Sequence, residues 1–174
     1  EPAVLLDAAR AQGLEGIIAK RPESRYESDR RSGAWRKCKV VAEQEFVIGG
    51  FTPPRNSREF LGAILVGYYR GRSLIYAGKV GTGFDRAQLS SLHAKLAALR
   101  RATCPFANLP LATRPRFGTG MTRAAMQQVT WLKPTLVAQV SFAEWTDDGR
   151  LRHPVFRGLR TDKPARSVRR EATL

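Results

Sequence analysis

Cysteine, methionine and histidine each occur only twice in these 174 residues. Cys38 and Cys104 are too few for a disulfide framework and fit a reducing compartment. His93 and His153 have no partners at metal-ligand spacing, which argues against a zinc site. No apolar run is long enough to span a bilayer, and no signal-peptide pattern opens the chain. The first residues are Glu1-Pro2 rather than methionine, so the chain is expected to be part of a longer polypeptide. Acidic side chains are scarce as well: 15 against 30 basic ones, a formal net charge of +15. Such an excess calls for a polyanionic partner, most simply nucleic acid. Nearly all of it lies after Gly50, which makes the later part the polyanion-binding module.

A hydrophobic fraction of 43% is enough for a real core. Val4, Leu5, Ala8 and Ala9 have helical spacing, and Gly13 suits the end of that helix. Ile17-Ile18-Ala19 reads as a short buried strand, and Pro22 to Gly33 as a polar loop. Strand-like runs follow at Trp35–Lys39, Glu45–Phe51, Gly62–Tyr69 and Ser73–Val80, with Gly71 at a hairpin turn. Asp85 is a good N-cap for a helix running to about Arg101, with an apolar stripe of Leu89, Leu92, Leu96 and Leu99 and with His93 on its polar side. Cys104 to Met121 breaks all periodicity and reads as a loop. Val129–Leu132, Val137–Trp145 and Leu151–His153 read as further strands. The later part thus has about five strands with one helix after the third. That order suits an oligonucleotide-binding (OB) barrel better than an SH3-like barrel or a small sandwich.

Three motifs carry candidate chemistry. In Glu15-Gly16-Ile17-Ile18-Ala19-Lys20, Glu15 stands before a strand end, where it could meet a ribose hydroxyl or a metal-bound water; a plain turn before a core strand is the other reading. In Trp35-Arg36-Lys37-Cys38-Lys39, Lys37 and Lys39 share one strand face, about 7 Å apart at the backbone. They could flank one phosphate or simply line a solvated face, with Cys38 packed opposite. In Arg160-Thr161-Asp162-Lys163, Arg160 and Lys163 suit phosphate oxygens, and Asp162 could orient Arg160 or bind metal; a basic tail is the other reading. Gly78 to Gly83 lacks the Gly-Lys-Ser/Thr ending of a phosphate loop and reads as a hairpin exit. Tyr68, Tyr69, Trp131 and Trp145 could stack on bases, although core packing is their commoner use.

The order of these motifs resembles the covalent nucleotidyltransferases, DNA ligases and mRNA capping enzymes. The detail resembles ATP-dependent DNA ligases of the bacterial non-homologous end-joining ligase D type. The resemblance rests on GLEGIIAKR, YESDRRSGAWRKCK, EFVIGGFTPP, YAGKVGTGF, WLKPTLVAQVSFAEWT and GRLRHPVFRGLRTDKPA. It implies a mainly β chain: residues 1–41 as the last segment of an α/β nucleotidyltransferase domain, and 42–174 as a five-stranded OB barrel with one inserted helix. It implies ATP and Mg²⁺ as cofactors. Glu15 would lie near the adenosine and, through water, the metal; Lys37 and Lys39 would contact the α-phosphate. Arg160, Asp162 and Lys163 would meet the β- and γ-phosphates.

The nucleophilic lysine of the family sits in a Lys-x-Asp-Gly, which this sequence does not contain. The chain alone is therefore expected to form no covalent adenylate, and both cofactors to need the preceding part of the domain. Gln139 stands where such ligases often carry Glu. The implied partners are nicked or broken double-stranded DNA and the rest of the nucleotidyltransferase domain. The resemblance also admits a Ku-like end-binding protein, and it implies a cytoplasmic place at the bacterial nucleoid. A stand-alone OB module that binds single strands and a capping-enzyme fragment are the alternatives.

Overall fold

A computed structural model describes residues 2–12, 14, 16–24, 33–54, 59–111 and 121–171. The chain divides into two compact units with the boundary between Ala42 and Glu43. In the first unit, helix α1 (Pro2–Ala11) is followed by strands β1 (Gly16–Lys20) and β2 (Trp35–Lys39). These strands pair antiparallel, with Gly16 opposite Lys39 and Ile18 opposite Lys37. The Lys20 ammonium lies 4.1 Å over the Trp35 ring, and the Trp35 indole N–H donates to Ser24 Oγ at 3.0 Å. The expected burial of β1 does not hold: Ile18 is 56% exposed. One helix and a two-stranded ribbon offer too little surface to cover both faces of the pair. Gly13, Glu15 and residues 25–32 lie outside the described residues.

The second unit is built on one long strand, β3 (Ala42–Thr52), flanked by β4 (Ala63–Arg70) and β5 (Ser73–Val80). Gly71, at φ +59°, makes the tight turn between β4 and β5, where Arg70 faces Ser73. Helix α2 (Arg86–Ala97) follows. Asp85 caps it as the sequence predicts: its carboxylate accepts the Gln88 N–H at 2.7 Å, and the Gln88 amide oxygen accepts the Asp85 N–H at 3.1 Å. The carboxylate of Asp85 therefore already occupies the helix N-terminus, in keeping with a hairpin exit rather than a phosphate loop at Gly78–Gly83.

Helix α2 stops short of Arg101. Arg100–Arg101 form strand β6, which pairs with β7 (Thr130–Leu132), so tertiary pairing overrides the helical propensity of the arginines. Leu89, Leu92 and Leu96 are buried as expected, but His93 packs edge-on against Phe51, with ring centroids 5.7 Å apart, rather than facing the polar side. After the short helix α3 (Arg123–Met126) and β7 come β8 (Val137–Phe142), β9 (Glu144–Trp145), β10 (Leu151–Arg152) and β11 (Val155–Arg160).

The strands run in the order β11-β8-β3-β4-β5, with β7 on the far end of β3. Counting the five main strands, that is fifth-fourth-first-second-third, with α2 between the third and fourth. This is the OB-like arrangement that the strand order predicts. The barrel is not closed by a ladder: between its two edges the Phe156 N–H donates to Thr82 O at 2.9 Å. Gly83 sits beneath that contact at φ +90°.

The core is lined by Phe46, Ile48, Ile64, Leu65, Val66, Leu96 and Leu132. The stretch read as a plain loop contributes to it. The Phe106 ring is 4% exposed, wedged where Gly49 of β3 and Gly67 of β4 leave room, and Asn108 Oδ1 accepts the Tyr76 N–H at 2.8 Å. Residues 112–120 lie outside the described residues. Tyr68, Tyr69 and Trp131 are buried, so they serve packing. No described helix is long and apolar enough to cross a membrane.

Candidate functional site

Strand β11, which alternation alone did not reveal, carries the site. Its pairing with β8 shifts register between Phe156 and Gly158, a bulge that leaves Arg157 as the surplus residue. In a regular strand, residues 157 and 160 would face opposite sides. The bulge slips that alternation by one at Arg157 and Gly158, so both arginines reach the same face of the sheet. There they cross β8 toward β3 in two parallel rungs. Arg157 Nε donates to Ser141 Oγ at 2.8 Å and lies 3.5 Å from Glu43 Oε1. Arg160 Nη1 lies 3.4 Å from Gln139 Oε1 and 3.2 Å from Glu45 Oε1. Each rung has an arginine from β11, a neutral acceptor from β8 and a carboxylate from β3. Neighbouring strands are about 4.8 Å apart, so only a long side chain spans the two gaps.

Asp162 turns back on the other edge of the Arg160 guanidinium. Its oxygens accept from Nε at 2.8 Å and Nη2 at 2.7 Å, a bidentate fork. That bond holds the Asp162 carboxyl down at about 2 and raises Arg160 further above the range where it could lose its proton. Of the two roles offered for Asp162, orienting Arg160 is the one the geometry displays. Among the described residues, no group of three His, Cys, Asp or Glu side chains stands together to hold a metal. Lys163 Nζ joins the second rung, 2.8 Å from Glu45 Oε2. Arg160 and Lys163 thus converge on one carboxylate, each on its own oxygen.

The tail beyond the motif is tied down. Ser167 and Val168 close a 3-10 turn, and the Tyr69 N–H donates to the Val168 carbonyl at 2.9 Å. The Arg169 carbonyl accepts from buried Gln44 at 2.7 Å. Arg166 lies 4.7 Å over the Tyr69 ring and Arg170 lies 4.4 Å over Trp145. The tail braces β3 and β4 and holds the end of β11 in place.

Lys37 and Lys39 stand on β2 in the first unit, two residues apart and hence on one strand face. Cys38, between them, is half-buried. Glu15 lies outside the described residues. Glu43 and Glu45 were missed in the sequence. Their signal is an acidic pair at period two, opening an apolar strand in a strongly basic chain.

Comparison with known proteins places this geometry. The model of the "ATP dependent DNA ligase C terminal region" matches residues 57–163, and that of the "ATP dependent DNA ligase domain" matches residues 1–39. The multifunctional non-homologous end joining protein LigD of Pseudomonas aeruginosa is 44% identical over 171 residues, covering 97% of this chain and 19% of that protein. The Mycobacterium bovis protein of the same name is 41% identical over 164 residues, covering 94% of this chain and 20% of that protein. The chain thus spans about a fifth of the curated relatives it matches. The crystal structure of the ligase domain of M. tuberculosis LigD is 38% identical, with a TM-score of 0.66, and the match covers 95% of this chain and 50% of that one. A mycobacterial DNA ligase D complexed with ATP and MES matches with a TM-score of 0.62 at 38% identity, covering 95% of this chain and 50% of that one.

Proposed function

Because the chain belongs to the ATP-dependent DNA ligase family, within that family's C-terminal region, we propose that it is the phosphate-engaging and DNA-clamping end of a ligase that seals breaks in double-stranded DNA by end joining. The observation that carries the reading is the pair Arg160 and Lys163, fixed side by side on Glu45 at the end of β11. Both keep part of their surface open, 39% and 34% of the side chain. Two adjacent cations that are held but not enclosed suit a polyphosphate. The identity to the LigD proteins supports the end-joining type. A Ku-like recruiting partner and a place at the bacterial nucleoid belong to the same proposal.

Formation of an adenylate breaks the bond between the α- and β-phosphates of ATP and releases pyrophosphate, so negative charge grows on the departing oxygens. Arg160 and Lys163 offset that charge from fixed positions, where no reorganisation is needed. Lys37 and Lys39 face the α-phosphate, which stays through every adenylated state. Glu15 is assigned to the adenosine in the same proposal. Positioned cations of this kind fit ATP. Mg²⁺ belongs to the same proposal: Glu15, through water, would be its contact in this chain, beside the phosphate oxygens of ATP.

The two half-reactions of the full-length protein separate these roles. Arg160→Ala and Lys163→Ala should slow self-adenylation by about 10²–10³-fold and nearly spare sealing of a nick that already carries AMP. Lys37→Ala and Lys39→Ala should slow both steps. Equal loss of both steps in the Arg160 and Lys163 variants would reduce that motif to general DNA binding or folding.

A further inference from the structure

Arg160 has two kinds of anionic partner, and they differ in depth. Asp162 is 65% exposed and holds the Nε and Nη2 edge of the guanidinium. Glu45 is 14% exposed and takes Nη1 with one oxygen and the Lys163 ammonium with the other. An arriving phosphate can exchange with Asp162 at the open edge of the guanidinium. It cannot displace Glu45 without breaking a rung of the sheet face. The four charges of the cluster also cancel: two cations from the end of β11 against Glu45 and Asp162. Glu45 could therefore act in two opposite ways, as a competitor that neutralises the cations or as the post that aims them.

We propose that Glu45 is a positioning residue: from β3 it fixes the spacing and direction of Arg160 and Lys163, the two cations through which the chain engages polyphosphate. The proposal rests on the role given above to those two residues. Three features favour the post over the competitor. Glu45 is set in the longest strand of the sheet rather than on a loop. Each of its oxygens serves a different cation, so it sets their separation and not only their charge. Gln139 gives Arg160 Nη1 a neutral acceptor beside Glu45, so the position of that nitrogen is fixed by two partners. A competitor would need none of this and would work best where it could leave.

The two roles predict opposite signs. In Glu45→Gln, the amide oxygen can still accept from Arg160, but its NH₂ cannot accept from Lys163. The charge of the cluster rises by one. If Glu45 were a competitor, the variant would bind ATP more tightly and adenylate faster. If it is a post, Lys163 loses its aim, and self-adenylation at saturating ATP should fall by about 10- to 100-fold, the scale of a misplaced positioning group. The fall should appear in the rate rather than in the KM for ATP, and sealing of a pre-adenylated nick should be nearly unchanged.

The experiment is single-turnover self-adenylation across ATP concentrations in the full-length protein, with sealing of a pre-adenylated nick as the control for folding. Glu45→Gln, Lys163→Ala and the double variant are compared. Acting through Lys163, Glu45 should show losses that fail to multiply in the double variant. Faster adenylation, an unchanged rate, equal loss of both steps, or full multiplication of the losses would each overturn the proposal. Should Glu45→Gln fold poorly, Glu45→Asp keeps the charge but draws it back by one methylene, and the same split between the two steps is required of it. Arg160→Ala, run alongside, tells the two failures apart. If it leaves adenylation intact, the proposed function falls. If it slows adenylation and Glu45→Gln does not, only the positioning role falls.

Discussion

Replacing Gly49 with alanine should destabilise the second unit through a single ring. A Cβ at Gly49 would lie 2.7 Å from Phe106 Cε2 and closer still to Cζ, and one at Gly67 would lie 2.8 Å from Cε1. The ring cannot swing away freely. It meets Tyr76 edge-on at 5.4 Å and Trp131 at 6.3 Å between centroids, and Phe106 is buried. Overpacking of this kind costs about 1–3 kcal/mol, offset by about 0.4–1 kcal/mol because alanine loses less backbone freedom on folding than glycine. Phe106→Ala alone should cost about 3–5 kcal/mol by leaving a cavity. In the double variant the new methyl enters the space that the ring has left, so the total should fall short of the sum by at least about 1 kcal/mol. Urea titration followed by the fluorescence of Trp131 and Trp145 measures all three. Losses that add to within about 0.5 kcal/mol would refute the reasoning, because the methyl and the ring would then not compete for one space.

Other outcomes follow from the same geometry. Asp85→Ala removes the carboxylate that accepts the Gln88 N–H, leaves the backbone N–H that Gln88 accepts, and should lower stability by about 1 kcal/mol in the same titration. The Asp162 carboxyl is held at about 2, below its ordinary 3.8, so the Arg160–Asp162 bond adds stability above pH 4 that is lost as pH falls toward 2. The difference in melting temperature between the wild type and Asp162→Asn should therefore shrink across that window; a constant difference would count against the bond. The basic excess after Gly50 should give sequence-independent duplex binding with log K falling by about 0.9 per phosphate contact for each unit of log salt. Fluorescence anisotropy on nicked and random duplexes would reveal a flat response or a sequence preference, either of which contradicts a clamp.

Local chemistry was legible where it acts within a few residues. The Gly71 turn, the Asp85 cap and the short apolar runs of β4 and β5 need no distant partner, and the order of strands around α2 follows from them. What escaped depends on contacts far away in sequence. Arg100 and Arg101 leave the helix because β7 offers them a ladder. Phe106 belongs to the core because two glycines some forty to sixty residues earlier leave it room. His93 faces Phe51 for a similar reason. Strand β11 was hidden by its own bulge, since the surplus Arg157 and the adjacent Gly158 break the period of two. In the site, the residue types of Arg160, Asp162 and Lys163 were readable, whereas the convergence of Arg160 and Lys163 on Glu45 requires knowing that β3 and β11 lie two strands apart.

The surplus residue in β11 also turns the strand into a ruler. Arg160 stands on the ladder face only while the count from Phe156 includes it. Loss or gain of one residue between Val155 and Arg160 would leave every functional group intact and still hand the guanidinium to the side on which Phe156 is buried. Side-chain swaps in this stretch are therefore milder events than changes of length. When relatives are aligned, a single gap here carries functional weight that percentage identity does not register. Transplanting the Arg-x-Asp-Lys run onto a flat strand of another protein would transfer the letters without the geometry.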